Sequence, residues 1–232
     1  MIYKTPKLFV VSDTACCVEY GDSIDEQLSR KVAALTQMLD DTRPAAVIEV
    51  VPTYRSVMVE YDPVLMNHEQ MAALLLDMAG RVGGDSAAVG RTVEIPVCYG
   101  GAYGPDLQEV AAEVGLSEQA VIDIHSGGSY PVYMMGFTPG FPYLGGMDTR
   151  IAAPRLATPR TLIPGGSVGI AGEQTGIYPL ASPGGWRLIG RTPLSLFDKG
   201  SDTPFLLSAG DRVRFVPVDE ATYLNMGGEQ LA

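Results

Sequence analysis

Arginine is the residue type whose distribution most suggests chemistry in this 232-residue chain. Residues 126–198 contain five arginines, three acids and no lysine. A guanidinium binds carboxylate or phosphate through two parallel hydrogen bonds, and main-chain N–H groups freed by glycine can add to that grip. Since five arginines outnumber three acids, we expect at least one to bind a small anion; the alternative is that they pair with local carboxylates or cover aromatic rings. The arginines are Arg150, Arg155, Arg160, Arg187 and Arg191.

The two histidines and three cysteines offer less. His125 directly precedes the arginine segment and suits either a general acid or base, or a helix-terminal histidine favoured by the helix dipole. His68 falls in the first turn of a predicted helix, and we expect it at the surface. Cys16, Cys17 and Cys98 are predicted to be packed thiols, because neighbours in a strand point to opposite faces. The Cys/His spacing of a structural zinc site is absent, so no metal site is predicted.

Three motifs imitate known functional signatures but lack an essential group. Gly165 to Gly169 matches G-x-S-x-G, but no histidine follows Ser167 and no helix is predicted after it, so a hydrolase triad is disfavoured. A Walker phosphate loop needs a lysine, which the segment lacks. Residues 106–125 look like a helix-turn-helix, yet the second helix has no Lys or Arg to face DNA, which favours an ordinary helical hairpin.

Net charge and hydropathy exclude several classes of protein. The formal charge of −11 disfavours binding to nucleic acid or to anionic membranes, and it makes the local balance of +2 in residues 126–198 unusual. No stretch approaches the roughly 20 apolar residues of a membrane span, and the first 15 residues hold no signal-peptide core. We expect a protein of the cytoplasm.

The first 90 residues alternate strands with two amphipathic helices. Strands are predicted within residues 7–20, at 47–51 and at 56–61, and another follows at 92–99. One helix begins at a Ser23/Glu26 capping box and ends before Pro44; the other begins at Asn67 with Gln70 and stops at Gly83-Gly84. The resulting β-α-β-β-α-β order predicts a ferredoxin-like domain in residues 1–90.

The second predicted domain, residues 91–232, begins with a strand at 92–99 that could belong to either half. A helical hairpin follows, at 105–114 and 118–125. Residues 126–198 then hold 14 Gly and 9 Pro among short apolar runs, which predicts a β-sandwich or barrel. Residues 206–217 are predicted to form a closing hairpin. The fold class is therefore α+β.

Three long stretches of the second predicted domain are distinctive, namely GFTPGFPYLGG (136–146), PRLATPRTLIPGGSVGIAGEQTGIYP (154–179) and SPGGWRLIGRTP (182–193). They closely resemble the KipI/PxpB family, the first of a pair of carboxyltransferase-type subunits. Upstream, VPTYRSVMVEYDP (51–63) and YGGAYGPDL (99–107) look similar, although Ala102 stands where the family often has an acid. The resemblance implies a ferredoxin-like domain followed by a cyclophilin-like barrel.

The resemblance also implies a function: the B-type subunit of an ATP-dependent 5-oxoprolinase, inactive without a C-type carboxyltransferase subunit and an A-type hydrolase subunit. ATP, with magnesium, would be used. Two alternatives stay open, namely a KipI-like inhibitor of a sensor histidine kinase and the carboxyltransferase half of a biotin-dependent urea carboxylase. Residues of the barrel motifs that are chemically able to work divide into catalytic candidates, His125, Arg160 and Gln174, and substrate-binding candidates, Tyr143, Arg155, Tyr178 and Arg191.

Overall fold

The structure, a computed structural model, describes residues 1–83 and 90–230. The chain divides into two compact units, Met1–Val89 and Gly90–Ala232. Within the described residues no helix is both long enough and apolar enough to cross a membrane.

The first unit is a four-stranded antiparallel sheet packed against two helices. In chain order the elements are β1 (Ile2–Ser12), β2 (Ala15–Gly21), α1 (Glu26–Thr42), β3 (Val47–Pro52), β4 (Ser56–Tyr61) and α2 (His68–Arg81). The strands have the spatial order β1-β2-β4-β3. Side chains of β2 and β4 alternate, and the buried set packs against the apolar stripes of the helices to form one core.

The predicted β-α-β-β-α-β order is wrong. The first unit has the order β-β-α-β-β-α, and β1 lies beside β2 at the sheet edge. The strand at 92–99, which would have closed the predicted order, pairs in the second unit. Which sheet a strand joins depends on contacts that its own sequence does not encode. The ferredoxin-like assignment stays a prediction.

The structure confirms the predicted N-cap of α2 but not that of α1. The Asn67 side chain accepts from the Gln70 N–H at 2.9 Å and the Gln70 side chain accepts from the Asn67 N–H, which confirms the predicted capping box. For α1 the cap is Asp25, not Ser23: its carboxylate accepts from the Gln27 N–H at 2.7 Å. Aspartate is as good an N-cap as serine, so residue preference could not choose between them. The predicted stop at Gly83-Gly84 is partly outside the described residues, and α2 ends at Arg81.

His68 is not a free surface residue as predicted. It is half-buried, and its Nδ1 lies 3.2 Å from the Tyr61 hydroxyl and 3.4 Å from Cys16 Sγ. A histidine in the first helical turn reaches the sheet because that turn packs directly on β2 and β4. The cysteines are packed thiols as predicted: Cys16 and Cys98 are buried and Cys17 is half-buried.

The second unit is a closed seven-stranded barrel with helices packed against its strands, which confirms the predicted barrel. The elements are β5 (Thr92–Tyr99), α3 (Leu107–Val114), α4 (Glu118–Gly127), β6 (Tyr130–Met135), β7 (Pro142–Leu144), a 3₁₀ turn (Thr149–Ile151), β8 (Arg160–Ile163), β9 (Ser167–Ala171), β10 (Gln174–Ile177), β11 (Ser182–Gly184), β12 (Arg187–Arg191), β13 (Arg212–Pro217) and α5 (Glu220–Asn225). The strand order around the barrel is β10-β7-β6-β13-β5-β12-β9, and β9 pairs with β10 to close it. A separate two-stranded sheet joins β11 and β8.

The predicted closing hairpin at 206–217 is wrong in its first half. Only β13 is a strand there, and it pairs in parallel with β5 and antiparallel with β6. A parallel partner must come from a distant part of the chain, so a turn signal beside β13 says nothing about it.

The helical hairpin and the serine motif behave as expected. α3 ends at Gly115, whose φ of +70° provides the left-handed cap, and α4 begins at the Ser117 cap. Ser167 is buried at the start of β9, with no helix after it. The motif therefore lacks the strand-to-helix turn that exposes a nucleophile.

Candidate functional site

An aromatic cluster covers the outer face of the barrel where β9 and β10 pair. Thr175 and Ile177 point inward, so Gly176 and Tyr178 face outward. Gly176 pairs with Gly169, and the Trp186 side chain lies across both: a Cβ on Gly176 would stand 3.0 Å from Trp186 Cζ3. The two glycines thus make room for the indole. Phe141, Tyr143 and Tyr178 complete the cluster, with edge-to-face ring contacts of 5.1 to 6.3 Å.

Tyr178 joins this cluster to two cations. The Tyr178 hydroxyl lies against Gly184, the residue that pairs with Arg160 across the β8–β11 sheet. Burial raises the pKa of this hydroxyl, whereas a hydrogen bond with the Trp186 backbone and the charges of Arg155 and Arg160 act to lower it. Arg155 is exposed, on the loop before β8, and that loop is fixed by the Leu156 N–H, which donates to Gly185 O at 2.8 Å. A neutral phenol beside two guanidiniums can donate a hydrogen bond to an anion held there.

Arg160 is held by Asp106, an acid that the sequence analysis did not select. Its two terminal nitrogens donate to the two carboxylate oxygens at 2.9 and 2.7 Å. Asp106 is 4% exposed and also accepts from the Leu188 N–H at 2.7 Å. Bidentate pairing fixes the orientation of the guanidinium, so Arg160 is a rigid edge of the site.

Three more of the five arginines are also paired. Acids outside residues 126–198 supply most of the partners: α3 and the residue before it supply acids to Arg160 and Arg187, and Glu229 pairs with Arg191. Arg150 pairs with Asp148, inside the segment. In the described chain Arg155 is the arginine of this group without a carboxylate within ion-pair distance. The expectation that the five arginines would not all pair therefore holds, but the excess is smaller than the local count suggested, because acids distant in sequence also contribute.

His125 lies inside the barrel, with its side chain fully buried. The Tyr99 hydroxyl is 2.7 Å from Nδ1 and the Thr175 hydroxyl is 2.8 Å from Nε2, while Phe215 stacks on the ring. Thr175 donates its own proton to Gly169 O, so Nε2 carries the imidazole proton and Nδ1 accepts from Tyr99. Burial lowers the pKa of His125 to about 3. The neutral ring links β5 and β10 through these two hydrogen bonds. The catalytic role of His125 stays a prediction, which its enclosed position does not favour.

The remaining predicted residues divide between two places. Tyr143 belongs to the aromatic cluster, and Gln174 is half-buried on the same outward face of β10 as Tyr178. Arg191 is on the other side of β9, opposite Ser167, and its Nε donates to Gly165 O at 2.9 Å. The structure therefore gathers Tyr143, Arg155, Arg160, Gln174 and Tyr178 on one outer face, which we call the Tyr178 face, and leaves His125 and Arg191 outside it.

A separate cleft of about 430 Å³ lies beside the end of α4. Asp123, Asp148 and Arg150 line it together with Ile124, Tyr130 and glycines. None of the seven catalytic and substrate-binding candidates lines this cleft. Residues 1–83 and 90–230 contain no group of three or more His, Cys, Asp or Glu side chains that could hold a metal ion.

Comparison with known proteins identifies the family. Residues 6–207 match the family described as carboxyltransferase domain, subdomain C and D. The chain belongs to this carboxyltransferase-domain family. The B-type subunit of the Bacillus subtilis 5-oxoprolinase is 45% identical over 223 residues, which cover 92% of this chain and 93% of that protein. The recognition made from the sequence motifs is thereby confirmed.

Solved structures agree with the fold of this carboxyltransferase domain. The crystal structure of TTHA0988 matches with a TM-score of 0.79 and 40% identity, covering 88% of this chain but only 40% of that one. The urea carboxylase of Kluyveromyces lactis matches with a TM-score of 0.75 at 21% identity, covering 97% of this chain and 23% of that one, which shows a shared fold. In these two proteins the matching region is one part of a longer polypeptide.

Sequence reasoning missed one residue that shapes the site of this carboxyltransferase domain, and it missed the backbone conformation of another. Asp106 stands in the quoted GPDL stretch, and its separation of 54 residues from Arg160 hid the pairing. Phe137 has a φ of +64°, is 66% exposed and contacts Phe141. A left-handed backbone at a large aromatic residue is strained, and such strain concentrates at functional sites. Nothing in the sequence around Phe137 predicts its left-handed backbone conformation.

Proposed function

We propose that this chain is the B-type subunit of an ATP-dependent 5-oxoprolinase that converts 5-oxoproline, ATP and water to glutamate, ADP and phosphate. The observation that carries the proposal is the 45% identity to the corresponding subunit of the Bacillus subtilis 5-oxoprolinase, across nearly all of both chains. The chain would act in the cytoplasm with a C-type carboxyltransferase subunit and an A-type hydrolase subunit, and would be inactive alone.

The Tyr178 face supplies the anion-binding chemistry that this reaction needs. The substrate carries a carboxylate, and phosphorylation of its ring carbonyl oxygen develops further negative charge. Among the five arginines Arg155 keeps its guanidinium available, because the others already face carboxylates. A guanidinium fork is the group best suited to a carboxylate. Arg155 is therefore proposed to hold the carboxylate of 5-oxoproline.

The other residues of this face are proposed to orient the substrate and to stabilise charge. The buried Tyr178 phenol stays protonated, since burial raises its pKa, and it donates to the same anion. Arg160, fixed by Asp106, holds the remaining N–H donors of its guanidinium in one orientation. Gln174 supplies an amide on the same face. In phosphoryl transfer most of the catalytic effect comes from such positioning and charge neutralisation.

ATP with magnesium is proposed as the cosubstrate. The described residues of this chain offer guanidiniums but no acidic cluster for a metal ion, so magnesium would arrive with ATP or be held by another subunit. ATP supplies the phosphoryl group. This chain supplies the Tyr178 face, which binds the anionic substrate.

The test is reconstitution with C-type and A-type subunits from the same genome. The assembled complex should hydrolyse ATP only when 5-oxoproline is added, and should release glutamate. Arg155→Gln should lower kcat/KM for 5-oxoproline about 10 to 100-fold, the loss expected for one charged hydrogen bond. Arg214→Gln, which removes an exposed arginine of the barrel paired with Glu94, should change it less than about twofold.

Contrary outcomes would be specific. Folded, assembled subunits that show no 5-oxoproline-dependent hydrolysis would refute the proposed reaction. Avidin-sensitive carboxylation of urea would instead identify a biotin-dependent carboxyltransferase half, and inhibition of a histidine kinase by the isolated chain would identify a regulator. Equal activity of Arg155→Gln and wild type would remove Arg155 from the site while leaving the reaction in place.

A further inference from the structure

Arg191 is a buried cation whose carboxylate partner lies on an exposed segment. Its side chain is 9% exposed, whereas that of Glu229 is 78% exposed. Arg191 Nη2 donates to Glu229 Oε2 at 2.9 Å, and Nε donates to Gly165 O. In the part of the chain that the structure describes, Glu229 is its carboxylate partner. A buried guanidinium without an anion is costly, so this position needs a negative group.

The segment that carries Glu229 is held through its backbone and not through the carboxylate. Its described residues, 226–230, follow α5 without forming a strand, and the chain turns at Gly227, whose φ is +89°. Gly227 donates its N–H to Leu224 O at 3.0 Å, Gly228 packs on the Tyr223 ring and donates to Tyr223 O at 3.1 Å, and the Glu229 backbone hydrogen-bonds to the Tyr223 side chain. The Glu229 carboxylate itself is mostly in solvent. Its side chain can therefore turn away from Arg191 and be replaced by another carboxylate while the segment stays in place.

The Arg191 position borders the Tyr178 face through one loop. Gly166 of the loop 164–166 donates to Tyr178 O at 2.7 Å, and its own carbonyl accepts from the Thr192 N–H at 2.9 Å. Tyr178 and Arg191 flank the same residue of β9, so their backbones are about 10 Å apart, two strand spacings. The aliphatic part of Arg191 packs beneath Gly166. A change of anion at Arg191 would therefore act directly on this loop.

We propose that Arg191 is a binding position for a small carboxylic acid, and that Glu229 is an internal occupant which the ligand displaces. Two of the five guanidinium N–H donors are used by the described residues, so a free carboxylate can form the bidentate contact that Glu229 does not make. The inference rests on the proposed function only for the natural ligand, because the substrate and product of that reaction are both carboxylic acids.

The experiment is isothermal titration calorimetry of the full chain carrying Arg155→Gln. This substitution removes the proposed carboxylate contact on the Tyr178 face. The probes are 5-oxoproline, L-glutamate and 2-pyrrolidinone, which is 5-oxoproline without its carboxylate. Adding Glu229→Gln should tighten the binding of both acids about tenfold, the factor expected when an internal competitor that occupies most of the population is removed. Adding Arg191→Lys should weaken it at least tenfold, since the two-point fork is lost. 2-Pyrrolidinone should not bind.

Several outcomes would overturn the proposal. If Glu229→Gln lowers the unfolding temperature and does not raise the affinity for either acid, the Arg191–Glu229 ion pair only stabilises the fold. Equal binding of 2-pyrrolidinone would show that the carboxylate is not recognised. If Arg191→Lys does not fold, acetate must compete with glutamate in the Glu229→Gln chain, and failure to compete counts against the site. Binding with the predicted pattern, beside a complex without 5-oxoproline-dependent ATP hydrolysis, would refute the proposed function and leave this inference standing.

Discussion

The buried imidazole of His125 predicts a specific loss of stability in mild acid. Burial lowers the pKa of this histidine to about 3 in the folded barrel, whereas an exposed histidine has a pKa of about 6.5. Below about pH 6.5 the His125 imidazole is protonated in the unfolded chain but stays neutral in the folded chain. Because the folded pKa is lowered, the stabilising contribution is present above that pH and is lost as the pH falls.

The magnitude follows from the two pKa values. While the pH lies between them, the free energy of unfolding falls by about 1.4 kcal/mol per pH unit. From about pH 7.5 to about pH 5 the loss from His125 alone is about 2 kcal/mol, a large part of the roughly 5–15 kcal/mol typical of a domain. The barrel cannot avoid it by solvating the ring, because Tyr99, Thr175 and Phe215 enclose it.

The assay is urea unfolding of wild type and His125→Gln across this pH range, followed by Trp186 fluorescence. Trp186 is the single tryptophan of the chain and packs on the barrel, so it reports the second unit. His125→Gln should be less stable near neutral pH, since Tyr99 loses its acceptor, but should show a pH dependence flatter by about 2 kcal/mol. Taking the difference between the two proteins cancels the titration of all other groups. His68→Gln, which changes the only other histidine, is the matched control. Parallel pH profiles for wild type and His125→Gln would refute the reasoning.

Two further substitutions test the packing of the Tyr178 face. Asp106→Asn should cost about 2 kcal/mol in urea unfolding, because it leaves Arg160 without its bidentate partner; the value is at the low end for a broken ion pair because Arg160 is 31% exposed. Gly184→Ala would place a methyl closer to the Tyr178 hydroxyl than van der Waals contact allows, and should cost about 1–3 kcal/mol. Gly127→Ala in α4 meets nothing within 4 Å and should instead stabilise by about 0.5–1 kcal/mol. Equal effects of the two alanines would contradict the contact.

The parts of the fold that were predictable are those with a local physical signal. The apolar stripe from Leu28 to Leu39 and the stripe from Met71 to Met78 both mark helices that the structure contains. The parallel pairing of β13 with β5 was not predictable, since Arg212 and Thr92 are separated by most of the sequence of the second unit. Residue preference describes a strand, and it does not name the partner of that strand.

The Tyr178 face was partly predictable for the same reason. Tyr143, Arg155, Arg160, Gln174 and Tyr178 lie in the quoted barrel motifs, and strand alternation alone puts Gln174 and Tyr178 on one side of β10. Burial could not be read from the motifs, so His125 was selected although its ring has no exposed surface. The role of the glycine pair also needed the register of β9 and β10, which brings Gly169 opposite Gly176 beneath the indole.

The distribution of ion pairs gives the helical hairpin a function in the carboxyltransferase domain. α3 and the residue before it carry three acids to the outside of the barrel, where Asp106 meets Arg160, and Glu109 and Glu113 meet Arg187. These acids neutralise the local excess of positive charge that the sequence showed between residues 126 and 198. The arginines that remain available to a ligand can therefore be identified only after all tertiary ion pairs are assigned. Among the five arginines of residues 126–198, and within the described residues, this assignment leaves Arg155 without a carboxylate partner on the Tyr178 face. It leaves Arg191 with a partner that is exposed enough to be exchanged.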